Sequence, residues 1–449
     1  MGVVIESEVW EPNQSVYIFI FISCSLSLFL IPYVSSARTP NVFDLSSSSL
    51  FLRFQRNFLL LYSLSSIMEG VCLVFGEFEL ALHGVSREQM VVYLSVGILA
   101  AFVLGPFLGI LSDIIGQKKA SIIFFMLQLF VGVWKRITMQ PSDWVANVCL
   151  SLATSTYAFN FEKWMVIEHE KILFLFKICA RGKRKDGLNE MFWLMTFLES
   201  ASLIGSQVLV NWLIGVDAKS VRNSSTAAIV LAIVGTICIK KGWTNNSQAA
   251  LFKEYKGSFY TYIIGDIYID VQSMLQFQAD GREVHLGLIH PCFLGARMLG
   301  NTACPWFATG PMAFCAEDCL SYVFIVMEIA FSIVAYDYQE IGVLVMLFCI
   351  FHMCIGLVLP LLARMRTIYV PNELSGGMIS LSLVPCKCSN SLFPSAVFGE
   401  ATIVLGGYHR NIGNATMMGF AALGLFGAAG CMSLLKRLGK QPHQNSHKL

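Results

Sequence analysis

Gly105-Pro-Phe-Leu-Gly-Ile-Leu-Ser-Asp-Ile-Ile-Gly-Gln-Lys-Lys119 passes abruptly from an apolar run to a polar, basic stretch. It lies between two long apolar segments, 89–112 and 119–139, so it reads as the end of one membrane helix, a tight turn and the start of the next. Gly105 and Gly109 allow two helices to approach closely. Asp113 is placed to cap the N-terminus of the following helix. Lys118 and Lys119 suit holding the turn at an anionic cytoplasmic surface.

Composition agrees with that reading. The chain has 449 residues, 55% hydrophobic and 13% charged, whereas soluble domains carry about 25% charged residues. Mean hydropathy is +0.64. A polytopic, all-α membrane protein is therefore expected. The net charge of +2 is uninformative about partners because the charges are segregated into loops. The 14 cysteines are scattered through apolar stretches, with Cys386-Lys-Cys388 as the close pair, and read as buried free thiols. No zinc spacing, nucleophile elbow, phosphate loop or Ser/His/Asp arrangement is present, and His285, His290 and His352 lack metal-ligand spacing and read as packing or interfacial residues. The expectation is a non-enzyme with no cofactor, no metal and no nucleic-acid partner.

Spans of about 20 apolar residues are expected at 15–34, 57–82, 89–112, 119–139, 143–165, 191–214, 224–240, 286–305, 319–335, 341–363, 375–406 and 413–435. The first is expected to be an uncleaved anchor with its N-terminus outside, because Glu6, Glu8 and Glu11 precede it without Lys or Arg. Pro385 and Pro394 should break or kink 375–406. Basic segments 35–56, 113–119, 163–190, 240–256 and 364–373, and the tail from Lys436, are expected in the cytoplasm, with Asp337-Tyr-Gln-Glu340 on the opposite side. Lys135, Arg136 and Lys219 run against this bias. Alternation requires one more crossing within 257–278, a poor span because Asp266 and Asp270 each cost about 2.5–3.5 kcal/mol at a bilayer centre. The same bias puts Asn223 outside and Asn245 in the cytoplasm. Cysteines introduced at the two sites should label from outside at 223 only, and the reverse pattern would overturn the topology.

The frame Gly109-x-x-x-Asp113-x-x-Gly116-x-Lys118-Lys119 resembles the signature loop between the second and third helices of major facilitator superfamily transporters, with Gln117 where an arginine is usual. Further stretches resemble the molybdate-anion transporter family of that superfamily, in a divergent, plant-type form. They are Phe51-Leu-Arg-Phe-Gln55, Phe161-Glu-Lys-Trp164 with Glu168-His-Glu170, Lys241-Gly-Trp243, and Leu359-Pro-Leu-Leu-Ala-Arg364 continuing to Val370-Pro-Asn-Glu-Leu374. The likeness covers most of 50–440. Segments 171–187, 257–278 and 385–400 depart from it. The resemblance implies two six-helix halves preceded by an additional helix, with a degraded first helix in the second half. It divides the chain into an anchor and loop (1–56), a first half (57–240), a central loop (241–258), a second half (259–436) and a tail (437–449). It further implies molybdate uptake, with the plasma membrane preferred and an endomembrane second.

A tetrahedral dianion needs cationic or N–H donors converging in a cavity, and ionisable residues inside spans mark function by default. Arg297, central in its span between Gly295 and Gly300, is the leading candidate for anion contact. Glu69 and Glu199, both within spans, are candidates to neutralise Arg297 or to carry a coupled proton. Glu162 and Lys163 match the Phe-Glu-x-Trp element of the resemblance, which makes Lys163 part of an anion path or the two a gating pair. Arg364 and Arg366 read as anchors at the membrane surface. The residues alone support a membrane transporter for a small charged solute; molybdate comes from the resemblance. A facilitator for a sugar or organic anion and a non-transporting, degenerate membrane protein stay open beside it.

Overall fold

In the computed structural model, the described residues are 18, 22–23, 26–27, 49–82, 87–138, 143–175, 181–213, 219–242, 286–309, 315–335, 341–369 and 414–439. Among them every element is a helix: α1 (Ser49–Leu82), α2 (Arg87–Ile115), α3 (Gln117–Ile137), α4 (Asp143–Leu175), α5 (Arg181–Leu213), α6 (Lys219–Gly242), α7 (Leu286–Thr309), α8 (Ala316–Ala335), α9 (Ile341–Tyr369) and α10 (Asn414–Gly439). A bilayer offers the backbone no water to bond, so a chain of this composition satisfies its amides within helices. Stretches 117–137, 188–210 and 342–367 are long and apolar enough to cross a membrane. The expected spans 257–278 and 375–406, the Cys386–Cys388 pair and most of 15–34 lie outside the described residues.

Several helices outrun the apolar stretches that announced them. The expected span 143–165 is the apolar part of α4, which continues to Leu175, and α5 begins at Arg181. The basic segment 163–190, expected as a loop, is thus largely helix. Glu, Lys and Arg are good helix formers, so a helix emerging into water need not end where its apolar residues do. Arg364 and Arg366 likewise belong to the last turns of α9. Lys135 and Arg136, which defied the charge bias, occupy the last turn of α3, where the helix dipole favours cations. Arg136 Nη1 also donates to Thr226 Oγ1 at 2.6 Å.

The chain forms two compact units. One comprises 39–268 with 362–392, the other 1–38, 269–361 and 393–449. In the first, α1 packs against α5 and α6, α2 against α4, and α3 against α4 and α6. Small residues permit the closest approaches: Gly70 meets Ser206 and Gly97 meets Ser151. The core is aromatic, with Phe54, Phe58, Tyr62, Phe124, Phe125, Tyr157, Phe161 and Trp164 forming one cluster. Edge-to-face pairs such as Phe58–Trp164 (5.9 Å, 84°) and Phe124–Phe161 (6.0 Å, 90°) lock α1, α3 and α4 together.

In the second unit α8 packs along α10, and Lys436 at the end of α10 pairs with Asp318 in the first turn of α8. That hydrogen bond raises the Lys436 pKa above its ordinary value, so the ammonium stays charged throughout the physiological range. Phe331 of α8 stacks obliquely on Phe351 of α9 at 4.5 Å. Helices α7 and α9 touch backbone to backbone. A Cβ placed on Gly300 would lie 1.9 Å from the Met353 carbonyl oxygen, and one on Gly356 would lie 2.2 Å from that of Arg297. Large apolar side chains face outward on most helices, among them Phe107, Ile114, Phe130, Ile233, Ile329 and Phe426. In water such a surface is a liability, whereas in a bilayer it faces acyl chains.

Candidate functional site

The stretch 105–119 makes the tightest connection described. Gly116 alone separates α2 from α3, at φ 89° and ψ 149°, a conformation that side chains rarely adopt. Its amide donates to the Ser112 carbonyl at 3.0 Å, and its own carbonyl accepts from Lys119 and Ala120 at 3.1 Å. The N-cap residue of α3 is Gly116 itself, which carries no side chain. The Asp113 carboxylate holds the Lys163 ammonium of α4, and both side chains are buried, 7% and 3% exposed. A full opposite charge is a strong partner for a carboxylate leaving water. Gln117, in the place of the family's arginine, turns back to donate to the Ser112 carbonyl at 3.3 Å. Asn160 of α4 donates to the Gln117 carbonyl at 3.2 Å and to Ser121 Oγ at 2.6 Å.

The neighbouring Glu162 takes a different partner. Arg366 grips it with a two-pronged pair, Nε to Oε1 at 2.9 Å and Nη2 to Oε2 at 2.6 Å. Arg366 was expected to anchor the membrane surface, but a planar guanidinium fork matches a carboxylate better than a mobile headgroup. Thus Glu162 and Lys163, adjacent in sequence, belong to two separate ion pairs.

Deeper in this unit lies a second polar group. Glu69 is buried in α1 and accepts hydrogen bonds from Thr154 Oγ1 of α4 and, at 3.5 Å, from Gln128 Nε2 of α3. Tyr62 donates to Glu199 of α5 at 2.9 Å. The Tyr62 and Tyr157 rings stack 5.5 Å apart, and Tyr157 shares a 2.6 Å hydrogen bond with Ser66. Tyr62, Ser66 and Glu69 recur at helical spacing, so one face of α1 presents all three. That spacing was the available sequence signal for Tyr62 and Ser66. Tyr157, Thr154 and Gln128 had no such signal, since their role depends on which helices pack together.

Arg297 lies in the other unit, 2% exposed. Phe293, Arg297 and Asn301 follow one another at intervals of four and share the face of α7 that meets α9. Phe293 stacks flat on His352 at 4.9 Å and 3°. The Arg297 and Asn301 backbone abuts Gly356, one helical turn beyond His352. Arg297 and His290 also lie within electrostatic reach of His352. His352 was expected to be a packing or interfacial residue. The structure buries it inside α9, and His285 lies outside the described residues. Among the described residues no group of three or more His, Cys, Asp or Glu is arranged to hold a metal ion.

Comparison with known proteins supports a polytopic transporter of the major facilitator type. Residues 33–261 match the model of a family described as sugar transporters with 12 transmembrane segments, and the chain belongs to that family. Two solved structures of a bacterial homologue of the iron transporter ferroportin, both outward-facing and one soaked with iron, share its fold with TM-scores of 0.57 and 0.58. Each is 11% identical, covers 85% of this chain and is itself 98% covered. No curated protein matches the chain. Family and fold are those of multi-pass membrane transporters rather than enzymes.

Proposed function

We propose that the protein is a secondary transporter that moves a small oxyanion, molybdate being the candidate, across the plasma membrane by alternating access. Arg297 carries this reading: a guanidinium 2% exposed near the middle of a membrane helix, with a buried carboxamide one turn away and a buried imidazole on the facing helix. Residues of that cost in a bilayer persist where a charged solute must be held. Glu69 and Glu199 are the carboxylates that would carry a coupled proton, each set among hydroxyl or amide donors. Lys163, bound to Asp113, enters an anion path only if that pair opens.

Arg297→Ala should abolish molybdate uptake at equal surface expression, because it removes a charge-assisted contact of about 1.5–3 kcal/mol. Metal analysis of molybdate-starved cells expressing each form measures this. Uptake at the wild-type rate would sink the assignment.

A sugar is the second reading, favoured by the description of the matched family. Asn301 also offers hydrogen-bond donors and an acceptor together, which suits a polyol. The missing N–H of Pro305, four residues on, withholds the helical partner of the Asn301 carbonyl. Labelled hexose uptake by the same cells, unaffected by excess molybdate, would favour it.

A further inference from the structure

Asn301 is fully buried, and neither end of its carboxamide has a hydrogen-bond partner among the described residues. His352 is 7% exposed, and both ring nitrogens are in the same condition. Buried polar groups are overwhelmingly hydrogen-bonded, because leaving one unpaired is costly. One such residue is an oddity. Two on the contacting faces of α7 and α9, beside a buried arginine, form a pattern.

The backbone holds these residues in place. Gly300 and Gly356 bring the two helices into direct contact, which leaves α7 little room to rotate about its axis. Phe293 clamps the His352 ring on one face and Phe351 meets it edge-on at 6.0 Å, so the imidazole plane is set by packing. Whichever nitrogen carries the proton, the ring keeps at least one N–H to donate. The carboxamide adds two N–H donors and the guanidinium five. That is a donor-rich set around one cation, which a compact oxyanion with several acceptor oxygens would satisfy.

We propose that Asn301 and His352 are contact residues for the transported oxyanion, completing with Arg297 a single site on the paired faces of α7 and α9. The proposal rests on the oxyanion reading above and adds two residues with the chemical role of neutral donors. A hydroxyl-bearing neutral solute would use the carboxamide as acceptor as well, and so would respond differently to the substitutions below.

The test uses the full-length protein in lipid nanodiscs, with molybdate binding measured by calorimetry and thermal unfolding followed in parallel. His352→Phe keeps the stacking on Phe293 but removes the N–H. Asn301→Asp keeps the size of the side chain but replaces the donors with a carboxylate. Each should weaken molybdate binding by about tenfold or more, the expected loss when a hydrogen bond to a charged group is removed. The Tm of His352→Phe should be unchanged or raised, since a buried polar group has been replaced by an apolar one. Molybdate affinity within twofold of wild type, together with a raised Tm, would assign both residues a purely structural role and overturn the proposal while leaving Arg297 as the anion contact. Absence of molybdate binding by the wild-type protein would instead overturn the oxyanion reading, and this proposal with it.

Discussion

Asp113→Ala should strip the first unit of about 3–5 kcal/mol, the usual consequence of leaving one member of a buried ion pair alone. Lys163 is 3% exposed and its ammonium is held by Asp113. Without the carboxylate, the cation must lose its proton or drag α4 toward water. The substitution also loosens the junction at which Gly116 reverses the chain, because the same pair ties α2 to α4 beside that turn. Thermal unfolding of the purified protein in detergent measures the effect. The second variant, Asp113→Ala with Lys163→Met, should recover most of the loss, since an apolar side chain of similar length restores packing without a buried charge. If the double variant is as unstable as the single one, the pair is not the source of the stability.

The other large effect is expected at Gly356. A methyl group there would sit 2.2 Å from the Arg297 carbonyl oxygen and 2.9 Å from the Asn301 nitrogen. Both are backbone atoms and cannot rotate aside as the tip of a side chain can. Gly356→Ala must therefore push α7 from α9, at a cost on the order of 1–3 kcal/mol or more. Because Arg297 rides on the displaced segment, transport should fail even in the fraction that folds. Gly342→Ala on the same helix is the control, because its added methyl meets nothing within 4 Å. Equal Tm and equal uptake for the two variants would mean that α7 and α9 are not in contact at this point.

Much of this protein could be read from its sequence because a bilayer is a stringent solvent. The apolar lengths predicted helices, and among the described residues helix is the only element. The run from Gly105 to Lys119 announced a junction between two helices, and the structure places its turn at Gly116, at φ 89°. Arg297, Glu69 and Glu199 stood out because charge inside an apolar segment is visible without coordinates. Helix ends were less legible: α4 and α5 continue through charged residues that favour helix in water as well as any apolar one.

Partners, by contrast, were decided by tertiary structure alone. Nothing in the adjacency of Glu162 and Lys163 reveals that one binds Arg366, 204 positions away, while the other binds Asp113. Successive helical residues point about 100° apart, so neighbours in sequence face different helices. Likewise, Asn301 and His352 are unremarkable in composition and gain meaning because two glycines bring α7 against α9 and bury both side chains beside Arg297. The sequence by itself determined which residues had to leave water; the packing of one helix on another decided what each of them met there.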